Sequence, residues 1–386
     1  MLDFIGQANK KYNFEQKFAA LLANTNNSVE KELKNGFVSV PKGCYIQLEK
    51  KAAKYILENI RASYGNTAGL VNRISAFESD TGLELTIGNF LKYYHIDARS
   101  LYRYATFSEL CVRAGKLDAF SEPAGDYMQK ALLRLCTVDS RRLIAFLLDV
   151  LPRIADIDFS GLPPVQNRMA EMFYITMWLE YAEDWNSEKV QENLRSLVKS
   201  PVCLSELTEL LQYKYSSIDF IDEPVDLGFE CPLDLHCTYT RDQLLAALDF
   251  TKPATVREGV KRLPEKKIDV LFVTLNKSDK DYSPTTMYND YSINDVLFHW
   301  QSQSTTAENS STGQRYINHR STSDRILLFV REFKTDRLSG AASAYTFLGT
   351  ANYVSHIGSK PMSITWKLDK PIPARFMKKT NKLVVG

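Results

Sequence analysis

The feature that most constrains this chain is a change of hydrophobic periodicity near residue 225. Through most of residues 1–225, apolar positions return every three or four residues, which is the spacing of an amphipathic helix. Short breakers such as Tyr64-Gly65-Asn66 separate the periodic segments. The predicted helices include Phe14–Leu22, Ala52–Ile60, Leu70–Phe77, Leu101–Val112, Met128–Leu135, Leu143–Ile154, Met169–Tyr181, Val190–Leu197 and Ser205–Tyr215.

Beyond the acidic, proline-terminated segment Ile218–Pro224, the pattern becomes that of strands. Thr240 predicts a capped helix at Arg241–Leu248, and we expect only strands and loops after it. The predicted strands are rich in β-branched and aromatic residues and comprise Ile268–Leu275, Ile293–Gln301, Ile326–Phe333, Tyr345–Leu348 and Met362–Leu368.

This order of elements predicts an α+β multidomain protein. We expect a helical domain at residues 1–225 and a β-rich domain, built as a barrel or sandwich, at residues 226–386. Between two of the strands, the polar segment Ser302–Gly313 is predicted to be a long loop with a use, for example wrapping a ligand.

Charge is distributed unevenly along the chain. Residues 251–386 carry 21 Lys and Arg against 12 Asp and Glu, a net charge of +9, whereas residues 1–250 carry 27 basic and 34 acidic side chains, a net charge of −7. A basic segment attracts polyanions, although the same bias can serve solubility alone. The charge therefore favours a C-terminal part that binds DNA, without naming the site.

The motifs that activate ATP or water in common enzymes are absent from the sequence. It contains no Gly-x-x-x-x-Gly-Lys-Ser/Thr loop, no His-Glu-x-x-His and no Gly-x-Ser-x-Gly. We therefore expect no catalytic residue, metal or cofactor in this chain. No apolar run approaches the ~18 residues of a membrane span, and the first residues do not resemble a signal peptide, which predicts a cytoplasmic protein without membrane contact.

Two less favoured possibilities for chemistry stay open at this point. One is a zinc site, whose ligands would be Cys231, His236 and Cys237. The other is a nuclease, whose reacting groups would be His299, His319 and His356.

Aromatic, amide and carboxylate side chains are concentrated between residues 288 and 303. Aromatic faces can sandwich an everted base while a carboxylate and amides read the polar edge of its ring. The same aromatic residues could instead form the core of strands. The candidate base-binding residues are Tyr288, Asp290, Tyr291, His299, Trp300, Gln301 and Gln303.

Basic side chains flank the predicted strands and are candidates for contacts to DNA phosphates, which supply affinity without sequence preference. Each of them could alternatively be a solvated surface residue. The candidates are Arg315, Arg320, Arg331, Lys334 and Arg337.

Several of these segments, taken together, resemble a known domain. The C-terminal part resembles the domain that follows the motor in a group of bacterial superfamily 2 helicases, through Tyr288–Tyr291, His299–Gln303, Gly313, Leu327–Glu332, Tyr345–Gly349 and Gly358–Met362. Leu2–Gln7 resembles the final strand of the helicase core in those proteins. Nearly the whole chain resembles the C-terminal part of SauUSI-type restriction endonucleases, in which a phospholipase-D-like nuclease and a helicase precede a helical coupler and a recognition domain.

The resemblance implies that the chain is a piece of a longer, ATP-dependent restriction endonuclease. Residues 1–225 would be the coupler, and residues 226–386 an SRA-like target-recognition domain that flips 5-methylcytosine or 5-hydroxymethylcytosine out of DNA. Asp290 would read the base edge, and Tyr291 or Trp300 would stack on the ring. ATP and Mg²⁺ would serve only the missing helicase, so this chain alone is expected not to be an enzyme.

The expected partners are double-stranded DNA with modified cytosine and the helicase and nuclease domains of the parent chain. An alternative function stays open. The chain could be a DNA-loading or protein-interaction module of a superfamily 2 helicase that is indifferent to base modification.

Overall fold

The computed structural model describes residues 66–94, 96–180, 188–221, 223–250, 252–277, 290–374 and 376–377, together with short pieces between residues 18 and 57. The chain forms two compact units, Met1–Glu122 and Pro123–Gly386. The predicted boundary at 225/226 lies inside the second unit, and the division into coupler and recognition domains stays a prediction about function. No helix in the described ranges combines the length and apolarity needed to span a bilayer.

The first unit is helical wherever its secondary structure is assigned. Its helices are α1 (Thr67–Thr81), α2 (Ile87–Tyr94), α3 (Ala98–Tyr102) and α4 (Phe107–Arg113). The helix predicted at Leu101–Val112 is two helices, because Thr106 and Glu109 form a capping box that begins α4. The predicted helices at Phe14–Leu22 and Ala52–Ile60 lie largely outside the described residues.

The second unit begins with helices, as the periodicity predicts. In its described residues these are α5 (Gly125–Leu135), α6 (Arg141–Val150), α7 (Pro164–Trp178), α8 (Glu188–Ser196) and α9 (Pro201–Ser217). Helix α7 buries residues on nearly all sides, among them Phe173 and Met177, which is typical of a helix in the middle of a packed unit.

Strands are the main regular secondary structure in the described residues after α9. They are β1 (Glu223–Pro224), β2 (Asp234–Leu235), β3 (Thr238–Tyr239), β4 (Val260–Leu263), β5 (Ile268–Asn276), β6 (Tyr291–Ser292), β7 (Leu297–Gln301), β8 (Arg325–Phe333), β9 (Tyr345–Ile357) and β10 (Ser363–Leu368). The capped helix predicted after Thr240 is α10 (Arg241–Ala247). The prediction of an α+β protein with helices first and a sheet after them is confirmed.

The main sheet has the order β4-β5-β8-β9-β10-β7-β6, with β3 added beside the start of β9. Strands β5 and β8 are parallel, and the other pairs are antiparallel. Strand β5 is buried from Ile268 to Thr274, as the continuous apolar run predicts. Because β5 and β8 are parallel, their carboxyl ends meet at one edge of the sheet.

The β-rich domain was predicted to be a barrel or a sandwich. The described strands form no closed barrel, because their order is an open path. The sheet is nevertheless strongly curved. Lys277 follows β5 and Asp290 precedes β6, five places away in the order, yet their side chains form an ion pair of 2.7 Å. In a flat sheet with strands ~4.8 Å apart, these residues would be roughly 24 Å apart.

One helix was not expected in this region. The polar segment Ser302–Gly313 leads into α11 (Ser311–Asn318), whose first turn is capped by the Ser310 hydroxyl accepting from Gly313 N at 3.1 Å. Tyr316 is the fully buried residue of α11 and packs edge-on against Trp300 and Trp366 in the core. The predicted loop is therefore present over residues 302–310, and its last residue, Ser310, is the N-cap of α11.

Candidate functional site

A cavity of about 580 Å³ lies beside the carboxyl ends of β5 and β8. The start of β9 lies at the same cavity because β9 runs antiparallel to β8. The end of β7 also lies there because the sheet is curved. The lining comprises Arg241, Arg257, Glu258, Gly259, Val260, Phe272, Thr274, Lys277, Asp290, Trp300, Gln301, Gln303, Ser304, Thr305, Arg331, Lys334 and Tyr345.

Asp290 is the buried carboxylate of this cavity. Its Oδ2 accepts from Lys277 Nζ at 2.7 Å, and its Oδ1 accepts from Gln301 N at 3.0 Å. Burial raises the pKa of Asp290 because it disfavours the charged form, and Lys277 opposes that shift. Since a carboxylate offers about four acceptor positions, Asp290 retains capacity to accept a hydrogen bond from a ligand.

In the described part of the chain, three aromatic rings border the cavity. Trp300 packs edge-on against Tyr316 and is 4% exposed, so it is chiefly a core residue that presents part of its surface to the cavity. Phe272 and Tyr345 form a second, T-shaped aromatic pair with ring centroids 5.4 Å apart. The cavity therefore has aromatic surfaces contributed by β7, β5 and β9.

Two arginines are held in place around Tyr345. The guanidinium of Arg331 lies 4.5 Å from the Tyr345 ring centroid and donates to Thr274 Oγ1 at 2.9 Å and to Ser343 O at 3.3 Å. The guanidinium of Arg241 lies 4.7 Å from the Phe272 centroid and donates to Val256 O at 2.8 Å and to Tyr345 Oη at 3.1 Å.

The cavity carries an excess of positive charge. Among the residues that the structure describes, its lining includes five basic side chains and two acidic ones. Both acids have partners, since Asp290 pairs with Lys277 and Glu258 accepts from Gln303 Nε2. An anion or a polar ring with an anionic group is therefore a better electrostatic match for this cavity than a cation.

Four of the predicted base-binding residues line this cavity together: Asp290, Trp300, Gln301 and Gln303. Tyr291 and His299 are not among its lining residues. They pair across β6 and β7, and their rings stack with centroids 4.8 Å apart. The seventh candidate, Tyr288, lies outside the described residues.

The predicted phosphate contacts do not form one track. Arg331 and Lys334 line the cavity, and Arg337 stacks over Phe333 at 4.2 Å just beyond β8. Arg320 instead donates to Asn352 Oδ1 at 2.9 Å, near the start of β8. A nine-residue strand at ~3.3 Å per residue separates these groups by roughly 26 Å.

Arg315 has a partner inside the protein. Its Nε and Nη2 donate to the two oxygens of Asp269 at 2.8 and 3.0 Å, and that carboxylate is fully buried. Arg262 also pairs with Asp269 at 3.0 Å and with Asp324 at 2.5 Å. This geometry places Arg315 in a structural ion-pair network, and its hydrogen bond with Asp269 raises the pKa of Arg315.

The sequence did not indicate several of the cavity residues. Arg241, Phe272, Thr274 and Lys277 come from α10 and β5, far from the aromatic and amide segment in sequence. The position of Lys277 directly after a buried strand is the sequence signal that could have indicated this edge of the sheet.

The three histidines considered for a nuclease do not converge. His299 is opposite Thr365 on β10, whereas His356 is opposite Ile364, so the two project from opposite faces of the sheet. His319 is buried, with Nδ1 against Asp324 O at 3.1 Å and Nε2 accepting from Tyr353 N at 3.0 Å. Burial lowers the pKa of His319, which stabilises the neutral ring that these two bonds require.

The cysteines considered for zinc have separate surroundings. Cys231 Sγ lies 3.6 Å from Ala247 O, and Cys237 Sγ lies 3.8 Å from Asp139 O. Burial raises the pKa of Cys231 to about 11, which favours the thiol over the metal-binding thiolate. Over the described ranges, no group of His, Cys, Asp and Glu has an arrangement suited to a metal ion.

One family comparison concerns this part of the chain. A family profile described as a domain of unknown function, DUF3427, matches residues 233–379. The matched segment contains strands β2 to β10 and all the residues that line the cavity. Comparison with curated proteins finds no match to the chain.

Proposed function

We propose that the second unit binds duplex DNA and accepts an everted, modified cytosine in the cavity. The observation that carries this proposal is Asp290, a buried carboxylate with remaining acceptor capacity. It lies beside the aromatic rings and the basic side chains that line the cavity. Cytosine presents an amino donor next to acceptor atoms on its pairing edge. Asp290 would accept from the amino group, and Gln301 or Gln303 would donate to the acceptors.

The energetic terms of base capture are of similar size. Extruding a base costs a few kcal/mol, and stacking on an aromatic side chain returns about 1–3 kcal/mol per base. Contacts of the basic lining side chains with DNA phosphates would supply the remaining binding free energy. A buried methyl group contributes about 0.8 kcal/mol, so we expect a preference for 5-methylcytosine over cytosine rather than absolute selectivity.

The parent protein in this proposal is a cytoplasmic, modification-dependent restriction endonuclease. The sheet would play the part of an SRA-like domain, and the helices of residues 1–225 would couple recognition to a helicase and a nuclease that this chain does not contain. The resemblance of the sequence segments supports this part of the proposal. The described strands form an open, strongly curved sheet. We therefore expect the domain to resemble SRA domains in the chemistry of its pocket and in the position of that pocket on the sheet.

The test is a fluorescence-anisotropy titration with matched duplexes that contain cytosine, 5-methylcytosine or 5-hydroxymethylcytosine, at two salt concentrations. We expect tighter binding of the modified duplexes and loss of that preference in Asp290→Asn. The matched control is Asp336→Asn, which changes a carboxylate outside the cavity that accepts from Ser339 N and Leu338 N. Equal binding of all three duplexes by the unaltered chain would refute base recognition.

A modification-indifferent DNA-loading module is the second candidate, favoured by the excess of basic side chains around the cavity. It predicts equal affinity for the three duplexes and a steep dependence on salt concentration, because phosphate contacts release counterions. The same titration therefore distinguishes the two functions.

A further inference from the structure

The base-reading proposal assigns no individual role to the two arginines around Tyr345. Their guanidinium carbons lie 4.5 and 5.8 Å from the same ring centroid, so both positive charges lie beside Tyr345, and all three residues line the cavity. Arg331 is fixed by Thr274 and Ser343, and Arg241 by Val256 and the Tyr345 hydroxyl.

The partners of these two guanidiniums are neutral. Within the described part of the chain, their hydrogen bonds go to carbonyl and hydroxyl oxygens, and their remaining close contacts are ring faces. A guanidinium has five N–H donors, so each retains donors after these contacts. Two preorganised cations with such neutral partners are suited to an anion with several oxygens, and Arg matches phosphate in a bidentate manner.

We propose that Arg241 and Arg331 form a phosphate clamp and that the cavity is a site for one whole nucleotide, with the base toward Asp290. The identity of the base rests on the proposed function, whereas the clamp rests on the arginines alone. The volume agrees with this occupant. We take roughly 20–30 Å³ for each non-hydrogen atom, on the scale of ~30 Å³ for a water molecule. A cytosine base of eight such atoms would then fill less than half of the 580 Å³ cavity, which leaves space for the sugar and the phosphate.

A consequence is that the cavity should bind a free mononucleotide. We expect 5-methyl-2′-deoxycytidine 5′-monophosphate to bind the full chain at least about tenfold more tightly than the nucleoside without phosphate, because charge-assisted hydrogen bonds of ~1.5–3 kcal/mol correspond to such a factor. Isothermal titration calorimetry measures both ligands, with inorganic phosphate as a third. Equal affinities for nucleotide and nucleoside, or no detectable binding of the nucleotide, would overturn the clamp.

Arginine variants locate the phosphate. Arg331→Gln should remove the advantage of the nucleotide over the nucleoside, whereas Arg103→Gln should leave it unchanged. Arg103 is the matched control because its guanidinium also lies over an aromatic ring, 5.7 Å from the Tyr104 centroid, but it does not line the cavity. Arg331→Lys, which keeps the charge without the planar fork, should be intermediate, and melting curves of each variant show whether it is folded. An equal loss in Arg103→Gln would refute the assignment.

Duplex DNA distinguishes a backbone phosphate from the terminal phosphate of a free nucleotide. A duplex in which a neutral methylphosphonate replaces the phosphate beside 5-methylcytosine should bind more weakly, and Arg331→Gln should then cost nothing further. A duplex with the methylphosphonate four nucleotides away is the control. If Arg331→Gln weakens binding of both duplexes equally, the clamp does not hold the flanking phosphate and the inference fails. Modified-cytosine preference on duplexes is scored separately, so the proposed function and the clamp can fail independently.

Discussion

At the scale of single residues, the most informative group is Asp290. Among the described residues, its two carboxylate oxygens accept from Lys277 and from Gln301 N, and the carboxyl group is almost completely buried. Burial raises its pKa against the opposing effects of Lys277, Gln301 N and His299. The acceptor that the proposed base contact requires is therefore lost at a higher pH than for an exposed aspartate.

This shift predicts a pH dependence of base recognition. The preference for 5-methylcytosine duplexes should be present above the Asp290 pKa and decline as pH falls through it, because a protonated carboxyl no longer offers two acceptor oxygens. Anisotropy titrations over a pH series measure the preference. In Asp290→Asn the preference should be small at every pH. A preference that stays constant down to the pH range of ordinary aspartates would contradict the role of this carboxylate.

Asp269 is the residue on which the buried ion-pair network depends. Arg262 and Arg315 both lose a buried, charged partner in Asp269→Asn. The change should therefore destabilise the chain by about 3–5 kcal/mol, the typical cost of removing one partner of a buried ion pair. The control Asp149→Asn removes an exposed pair with Arg153 and should cost at most about 1 kcal/mol. Urea unfolding monitored by circular dichroism measures both, and similar losses for the two variants would contradict this assignment.

At the scale of elements, the sequence predicted most described helices of the second unit and the five longest of its described strands. Strands β5 and β8 were clear because apolar, β-branched runs of such length fit a doubly buried strand. The parallel pairing of β5 with β8 was not predictable, since periodicity reports which face is buried and not which strand is the neighbour. For the same reason, the candidate site contained Asp290 and Gln301 but not Lys277 or Arg241, which reach the cavity through pairing and curvature.

Helix α11 depends on a glycine that permits a close approach of two segments. A Cβ at Gly313 would lie 2.1 Å from Ala307 O and 2.8 Å from Glu308 O. Gly313→Ala should therefore destabilise the chain by about 1–3 kcal/mol through forced backbone shifts.

The control is Gly125→Ala at the start of α5, where an added Cβ meets nothing within 4 Å. That change should be neutral or stabilising, because alanine favours helices over glycine by up to about 1 kcal/mol. Thermal unfolding of both variants checks the pair. A Gly313→Ala chain as stable as Gly125→Ala would show that the segment around Ala307 moves at little cost.

At the scale of the whole molecule, the helices and the sheet of the second unit are joined by buried polar contacts. Ser140 donates to Asp234 at 2.6 Å, and Gln243 Nε2 donates to Thr176 Oγ1 at 2.8 Å. Asp139 accepts from Thr238 N. Buried polar groups are costly when their partners are removed, so residues 123–217 and the strands after them should behave as one folding unit.

This coupling leads to a prediction about fragments. A fragment of residues 123–386 should unfold in one cooperative transition, whereas a fragment of residues 226–386 should aggregate or lack a cooperative transition, because it would leave the carboxylate of Asp234 and the amide of Gln243 without their partners. Size-exclusion chromatography and thermal melts followed by circular dichroism compare the two. A monomeric, cooperatively folding fragment 226–386 would instead place an independent domain boundary near residue 225.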